Sequence, residues 1–222
     1  MIDLEPLLLS FQVASLATCL ATVLGVAIAG VLTLPRVWGR EFIDAAITAP
    51  MVLPPTVLGY YLLVLLGRES AIGRGFEALF GSPIVFSRGG AVIAAAIGAL
   101  PLITRAARAA LESVDARLVG AARTLGASSL RAFFSVSLPL ARRGIFAGIM
   151  LGFARALGDF GATLMVAGNI PGRTRTASLA IYDAVLSGHD ADATRLSLIM
   201  TALAMVVLVG AGYLTRGRRD DF

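Results

Sequence analysis

The chain has 222 residues, of which 57% are hydrophobic and 15% charged, and its mean hydropathy of +0.84 exceeds what one soluble core of this size can hide. A soluble globular domain is therefore excluded, and the surplus apolar surface requires lipid. The net charge of +5 and the isoelectric point near 10.3 come from arginines that flank apolar segments, with no aromatic-basic surface, which excludes nucleic acid as a partner.

Residues 6–35 are thirty uncharged positions bounded by Glu5 and Arg36, enough to cross a hydrocarbon core of about 30 Å at about 1.5 Å per residue. The opening Met1-Ile2-Asp3-Leu4-Glu5-Pro6 lacks the positive region of a cleavable signal, so this span is expected to stay in the mature protein. Cys19 within it is expected to be a packed small residue, since neither a disulfide nor a metal site suits that position. A second span over 43–66 carries Pro50, Pro54, Pro55 and Gly59 and should kink or locally unwind. Ordinary membrane-helix kinking and a hinge or pore-lining role both fit that pattern.

A third span runs over 89–104 and reaches Leu111 if Arg105 and Arg108 snorkel to the headgroups. Next comes a polar, arginine-dotted insert over about 112–143. Asp115 can cap a helix through about Leu125, Gly126 suits the left-handed position that ends it, and Ser128 or Ser129 can start a second helix that stops before Pro139. Leu118, Ala122 and Leu125 share one face of the first helix, while Gly120 and Ala121 permit close approach by another surface. An element lying on the membrane surface leaves the glycine and Leu138-Pro139 placement unexplained. A DNA-binding helix-turn-helix would have to reach a duplex while tethered to the bilayer at both ends.

The fourth span, 144–168, is interrupted only by Arg155 and Asp159. These lie four residues apart, one turn on a single helix, about 16 Å into the span, so each can neutralise the other. The pair reads either as a wall or gate of an anion path or as an ion pair that only orients helices. Beyond it, Pro171 and Gly172 fit the central positions of a type II turn, and the forks of Arg173 and Arg175 suit an oxyanion or the acidic face of a partner. Thr174 or Thr176 is as well suited to cap a short helix over 177–186 as to touch a ligand. A fifth span covers 196–215.

With no strand alternation, the spans form one all-α membrane domain over 1–222. With the N-terminus outside, twelve of the nineteen arginines fall inside, six outside and Arg155 in the membrane, so the positive-inside rule places the insert and the C-terminus in the cytoplasm. The chain contains no lysine, which excludes a P-loop ATPase. The single histidine, His189, falls in an outer loop, and Asp159 is the only carboxylate deep in a span, which excludes a zinc or paired-aspartate protease.

Gly120-Ala121-Ala122, Gly126 and Leu138-Pro139 stand at the spacing of the docking loop in permease subunits of ABC importers, which inserts into a groove of the ATPase subunit. The chain resembles that family, with Gly120 where a glutamate is usual. The stretches 154–163 and 168–176, with 52–60 and 123–127, resemble molybdate ABC importer permeases in particular, with Asp159 where a glutamate is usual. The resemblance implies a permease of the type I importer fold with about five transmembrane helices in the cell inner membrane. It implies a second copy of the chain as homodimer partner, two ABC ATPase subunits and an extracytoplasmic molybdate-binding protein. No cofactor is expected on this chain, ATP and magnesium belonging to the ATPase. Arg155, Asp159, Thr163, Pro54 and Pro55 become candidates for the path or gate. Asn169, Pro171, Gly172, Arg173 and Arg175 become candidates for the face toward the binding protein. Sulfate, thiosulfate or tungstate are alternative cargoes, and an ATP-independent channel, an ion-coupled carrier and a non-conducting scaffold are readings from other classes.

Overall fold

The computed structural model describes residues 4–34 and 38–216, so Arg36, Arg218 and Arg219 of the charge count lie outside the described residues. Helix α1 (Glu5–Leu32) buries the small-residue face Ala14, Ala17 and Ala21, together with Leu9 and Val13, against α5 (Arg88–Glu112), which presents Ala91, Ala95, Ala99 and Ile103. Cys19 sits on the opposite, exposed face of α1, so it is not a packed core residue. Its position about half a turn off the alanine row puts it toward lipid.

The second span is broken outright. Helices α2 (Arg40–Val52) and α3 (Pro55–Leu66) meet at 115°. The reason is local: Leu53 precedes one proline and Pro54 another, and both take extended backbone (ψ 138° and 137°) because a helical residue there would clash with the ring that follows. Pro50, by contrast, is accommodated within α2. Only α3 enters the core, through Leu58, Leu62 and Leu66 packed on Ile84, Val85, Ala94 and Val166; α2 buries no residue.

A short helix, α4 (Ala71–Phe80), lies in the following connection, capped by Ser70 Oγ, which accepts from Gly73 N–H at 2.8 Å. The insert holds α6 (Ala116–Thr124) and α7 (Ser129–Ala132). The second helix does not stop before Pro139. It passes through a π-helical turn, Phe133–Ser137, into α8 (Leu138–Leu157), giving one 29-residue run from Ser129. The wider turn lets Leu138 N–H reach Phe133 O, so Pro139, which has no N–H to offer, falls at a fresh helix start.

Helix α8 lies on α5 through Gly144, Gly148 and Gly152, where an added Cβ would come within 2.6, 2.5 and 2.5 Å of Ala110, Ala106 and Ile103. Glycines four apart let two backbones close up, the packing that lipid-embedded helices rely on. The fourth span is also broken: α8 ends at Leu157 and α9 (Gly161–Ala167) follows after Gly158-Asp159-Phe160. A reversal leads to α10 (Ala177–Leu186) and then α11 (Asp190–Arg216), which begins six residues before the expected span. By length and composition α1, α5, the Ser129–Leu157 run and α11 can each cross a membrane, with the broken α2–α3 pair as a fifth. Among the described residues every regular element is a helix.

Candidate functional site

The insert is built by local signals. Asp115 Oδ1 accepts from the Arg117 backbone N–H at 2.8 Å, and Oδ2 pairs with the Arg117 guanidinium at 2.9 Å. That guanidinium, aided by the backbone bond, holds the Asp115 carboxyl below the usual carboxylate range. At the other end Gly126 has φ +90°, its N–H reaches Arg123 O at 3.0 Å, and the Ala127 N–H reaches Ala122 O at 3.0 Å. These are the two bonds of a Schellman stop, and a left-handed residue at that point favours glycine. Ser128 Oγ then accepts from Arg131 N–H at 3.3 Å to start α7.

The product is a knob with its apolar side outward. Leu125 is 89% exposed, and Leu118, Leu130 and Phe134 are also open; a recess of about 430 Å³ is lined by Gly126, Ser128, Leu130, Arg131 and Phe134. Around Gly120 an added Cβ would meet nothing within 4 Å, so this glycine is not required by packing inside the chain. Gly120, Ala121, Ala122 and Gly126 share α6 and its turn. Leu138 and Pro139 stand apart: Leu138 packs on the core formed by α1, α5 and α8, while Pro139 is exposed at the start of α8.

The two helix breaks face each other in the bundle. An added Cβ on Gly161 would lie 2.7 Å from Pro55, and one on Gly59 would lie 2.7 Å from Met165, so α3 and α9 run in close contact from their starts. Between the breaks is a cavity of about 400 Å³ lined by Pro55, Thr56, Arg155, Gly158, Asp159, Phe160 and Gly161. Arg155 and Asp159 are not one turn apart on a continuous helix, because Gly158 ends α8 and Asp159 lies in the break. They pair nonetheless, Arg155 Nη1 donating to Asp159 Oδ1 at 3.0 Å.

The other oxygen, Asp159 Oδ2, accepts from the Thr163 N–H at 3.1 Å and the Thr163 hydroxyl at 2.7 Å. The carboxylate, 2% exposed, therefore spends both oxygens on the fold, and part of its role is to hold the first turn of α9. Thr163 is a buried brace, and Pro54 directs the break but is not in the cavity lining. Thr56, Phe160 and Gly98, the last giving the Arg155 guanidinium its room on α5, had no signal in the sequence because only the bundle brings them to the pair.

Outside the bundle, Ile170 O accepts from Arg173 N–H at 3.1 Å with Gly172 at φ +71°, the turn expected at Pro171-Gly172. Thr174 Oγ1 accepts from Ile170 N–H and donates to Gly168 O, which ties the loop to itself. Neither threonine side chain caps α10. Thr176 Oγ1 is buried without a hydrogen-bond partner, and the Ala177 N–H instead donates to Ser10 Oγ of α1 at 2.7 Å. Arg175 is turned inward, donating to Asn169 Oδ1 at 3.0 Å and pairing with Asp183 at 3.3 Å. Arg88 reaches the carbonyls of Gly172 and Arg173, while the Arg173 side chain itself is exposed.

The structure is similar to that of a permease chain of the MetNI methionine ABC transporter in inward-facing conformations. The TM-score is 0.75 over 97% of this chain and 95% of that one, at 15% identity, which establishes a shared fold of the type I importer permeases. In sequence the chain is 44% identical over 217 residues, covering 97% of it and 95% of the relative, to the molybdenum transport system permease protein ModB of Escherichia coli K12. It is 40% identical to the protein of the same description in Haemophilus influenzae, over 96% and 94% of the two chains. Residues 21–217 match the family model for the inner membrane component of binding-protein-dependent transport systems. The chain thus belongs to the binding-protein-dependent transport system inner membrane components, the family whose docking loop Gly120-Ala121-Ala122, Gly126 and Leu138-Pro139 resemble in sequence.

Proposed function

We propose that this chain is the permease subunit of an ATP-driven importer that carries molybdate inward. The observation that carries the reading is the 44% identity over 97% of the chain to a molybdenum transport permease, since identity of that extent covers the knob, both helix breaks and the outer loop together. Two copies form the path between them, two ABC ATPase subunits engage the knobs, and an extracytoplasmic binding protein delivers the anion. ATP and magnesium act on the ATPase, and this chain contributes rigid-body alternation rather than covalent chemistry.

Within it, Gly120, Ala121, Ala122 and Gly126 form the surface gripped by the ATPase, and Leu138-Pro139 joins that surface to α8. Arg155, Asp159 and Thr163, with Pro54 and Pro55 at the facing break, border the path. Pro171, Gly172 and Arg173 face the binding protein, while Asn169 and Arg175 keep that loop in shape. The N-terminus lies outside and the insert and C-terminus in the cytoplasm, in keeping with the arginine excess on that side. The exposed Leu118, Leu125, Leu130 and Phe134 support the knob's role, because an apolar surface of this kind in a polar segment fits a partner.

The test is reconstitution of this chain with its ATPase in liposomes, the loaded binding protein being added outside. Labelled molybdate should accumulate only with ATP inside; accumulation by the chain alone, without ATPase or nucleotide, refutes the reading.

A further inference from the structure

The cavity between the two helix breaks has a chemistry of its own. Its charged wall is a pair of zero net charge, yet the two members differ in what they show to the cavity. Asp159 has turned both oxygens to Arg155 and Thr163 and is 2% exposed, so few of its lone pairs face the opening. Arg155 is 35% exposed, gives Asp159 one of its five N–H donors, lays Nη2 beside Gly98 and lines the cavity. Thr56 lines the same cavity from the first turn of α3, with a hydroxyl and a backbone N–H that no cap satisfies, because Pro54 at the cap position has no side chain able to accept.

We propose that this cavity is a transient binding station for a tetrahedral oxyanion, held by the Arg155 guanidinium and Thr56, with Asp159 as the charge that keeps the well shallow. The inference rests on the importer reading above and adds the residues that meet the cargo inside the membrane. A lone arginine in this setting would hold a doubly charged anion too firmly to release it, whereas a path must attract without trapping. An arginine already neutralised by a buried carboxylate offers directed hydrogen bonds with little net field. The volume of about 400 Å³ admits a tetrahedral oxyanion with part of its water.

Removing either charge therefore slows uptake, but only removing Asp159 raises retention, which a merely structural pair would not show. The complete importer is measured for molybdate uptake from saturating loaded binding protein, and the permease–ATPase complex without binding protein is dialysed against labelled molybdate. Co-purification with the ATPase serves as the check on folding. Arg155→Gln is expected to lower uptake about tenfold, as the loss of a hydrogen bond to a charged group implies, with Arg155→Lys intermediate and exposed Thr56→Val a few-fold lower. Asp159→Asn is expected to retain about tenfold more molybdate in dialysis while slowing uptake. Should Asp159→Asn not assemble, the station is judged on Arg155→Gln and Thr56→Val alone. Wild-type uptake in Arg155→Gln and Thr56→Val, or retention by an assembled Asp159→Asn complex that does not rise, overturns the station while leaving the importer reading standing. A wild-type importer that accumulates no molybdate with ATP takes down both.

Discussion

Gly126 shows how one residue decides whether the knob exists. Its φ of +90° lies where a side chain is strained, and no atom crowds the position, so the backbone is the whole constraint. Gly126→Val should cost roughly 1–2 kcal/mol locally and loosen the turn. The expected result is loss of co-purification with the ATPase at normal membrane insertion; wild-type binding and coupled ATP hydrolysis would remove the turn from the mechanism. At the other end of α6, the depressed Asp115 carboxyl makes the cap sensitive to pH in a defined direction. Its stabilising effect is complete above the ordinary carboxylate range and fades as pH falls through the lower folded value. Arg117→Ala should raise the Asp115 titration midpoint toward that of a free carboxylate, read by NMR on the labelled residue, and an unmoved midpoint refutes the assigned cause.

Among the elements, α2 and α3 form one sequence segment with two kinds of attachment. Leucines anchor α3 in the core, whereas α2 buries nothing and meets α5 through a polar ladder of Arg40 to Glu112 at 2.9 Å, Asp44 to Arg108 at 3.3 Å and Thr48 to Arg105 at 3.1 Å. Half-exposed ion pairs of this sort contribute about 0–1 kcal/mol each, so α2 is the readily displaced half of the broken span. Asp44→Asn with Glu112→Gln should leave thermal unfolding within a few degrees of wild type but speed amide exchange throughout α2. Equal exchange in both proteins would show that other contacts hold the helix. The α5–α8 contact is the opposite case. Gly148→Val meets Ala106 and the Ile103 backbone at a point where an added Cβ is already 2.5 Å away, and overpacking there should cost at least about 1–3 kcal/mol. Loss of folded yield in detergent is expected, and a fully stable variant would mean the helices can separate freely.

For the molecule as a whole, the apolar belt and the arginine distribution act together to set the orientation in the bilayer. The native Cys19 lies on the outer face of α1, away from the aqueous ends, so single cysteines can report topology once it is replaced by serine. Arg123→Cys should react with a membrane-impermeant maleimide only after the cytoplasmic side is opened, and Arg173→Cys in intact cells. The reverse pattern would place the knob beyond the reach of any nucleotide-driven partner.

The sequence alone determined the features that depend on neighbours in the chain. Span lengths follow from apolar runs, the turns at Gly126 and Pro171-Gly172 from residues suited to left-handed backbone, and the cap at Asp115 from a side chain beside its own first turn. Even the break at Leu53-Pro54-Pro55 was signalled, though not its depth, since whether a proline bends a span or divides it depends on what each half packs against. Tertiary structure decided the rest. Asp159 left its helix because Thr163 offered two donors and Gly98 made room for Arg155. Arg175 turned inward to meet Asn169 and Asp183, six and eight residues on either side of it. Thr56 came to line one cavity with Arg155 only when α3 lay down along α9. Each of these rests on groups far apart in sequence finding compensation for charge or polarity, and such pairing is settled only after the helices have packed.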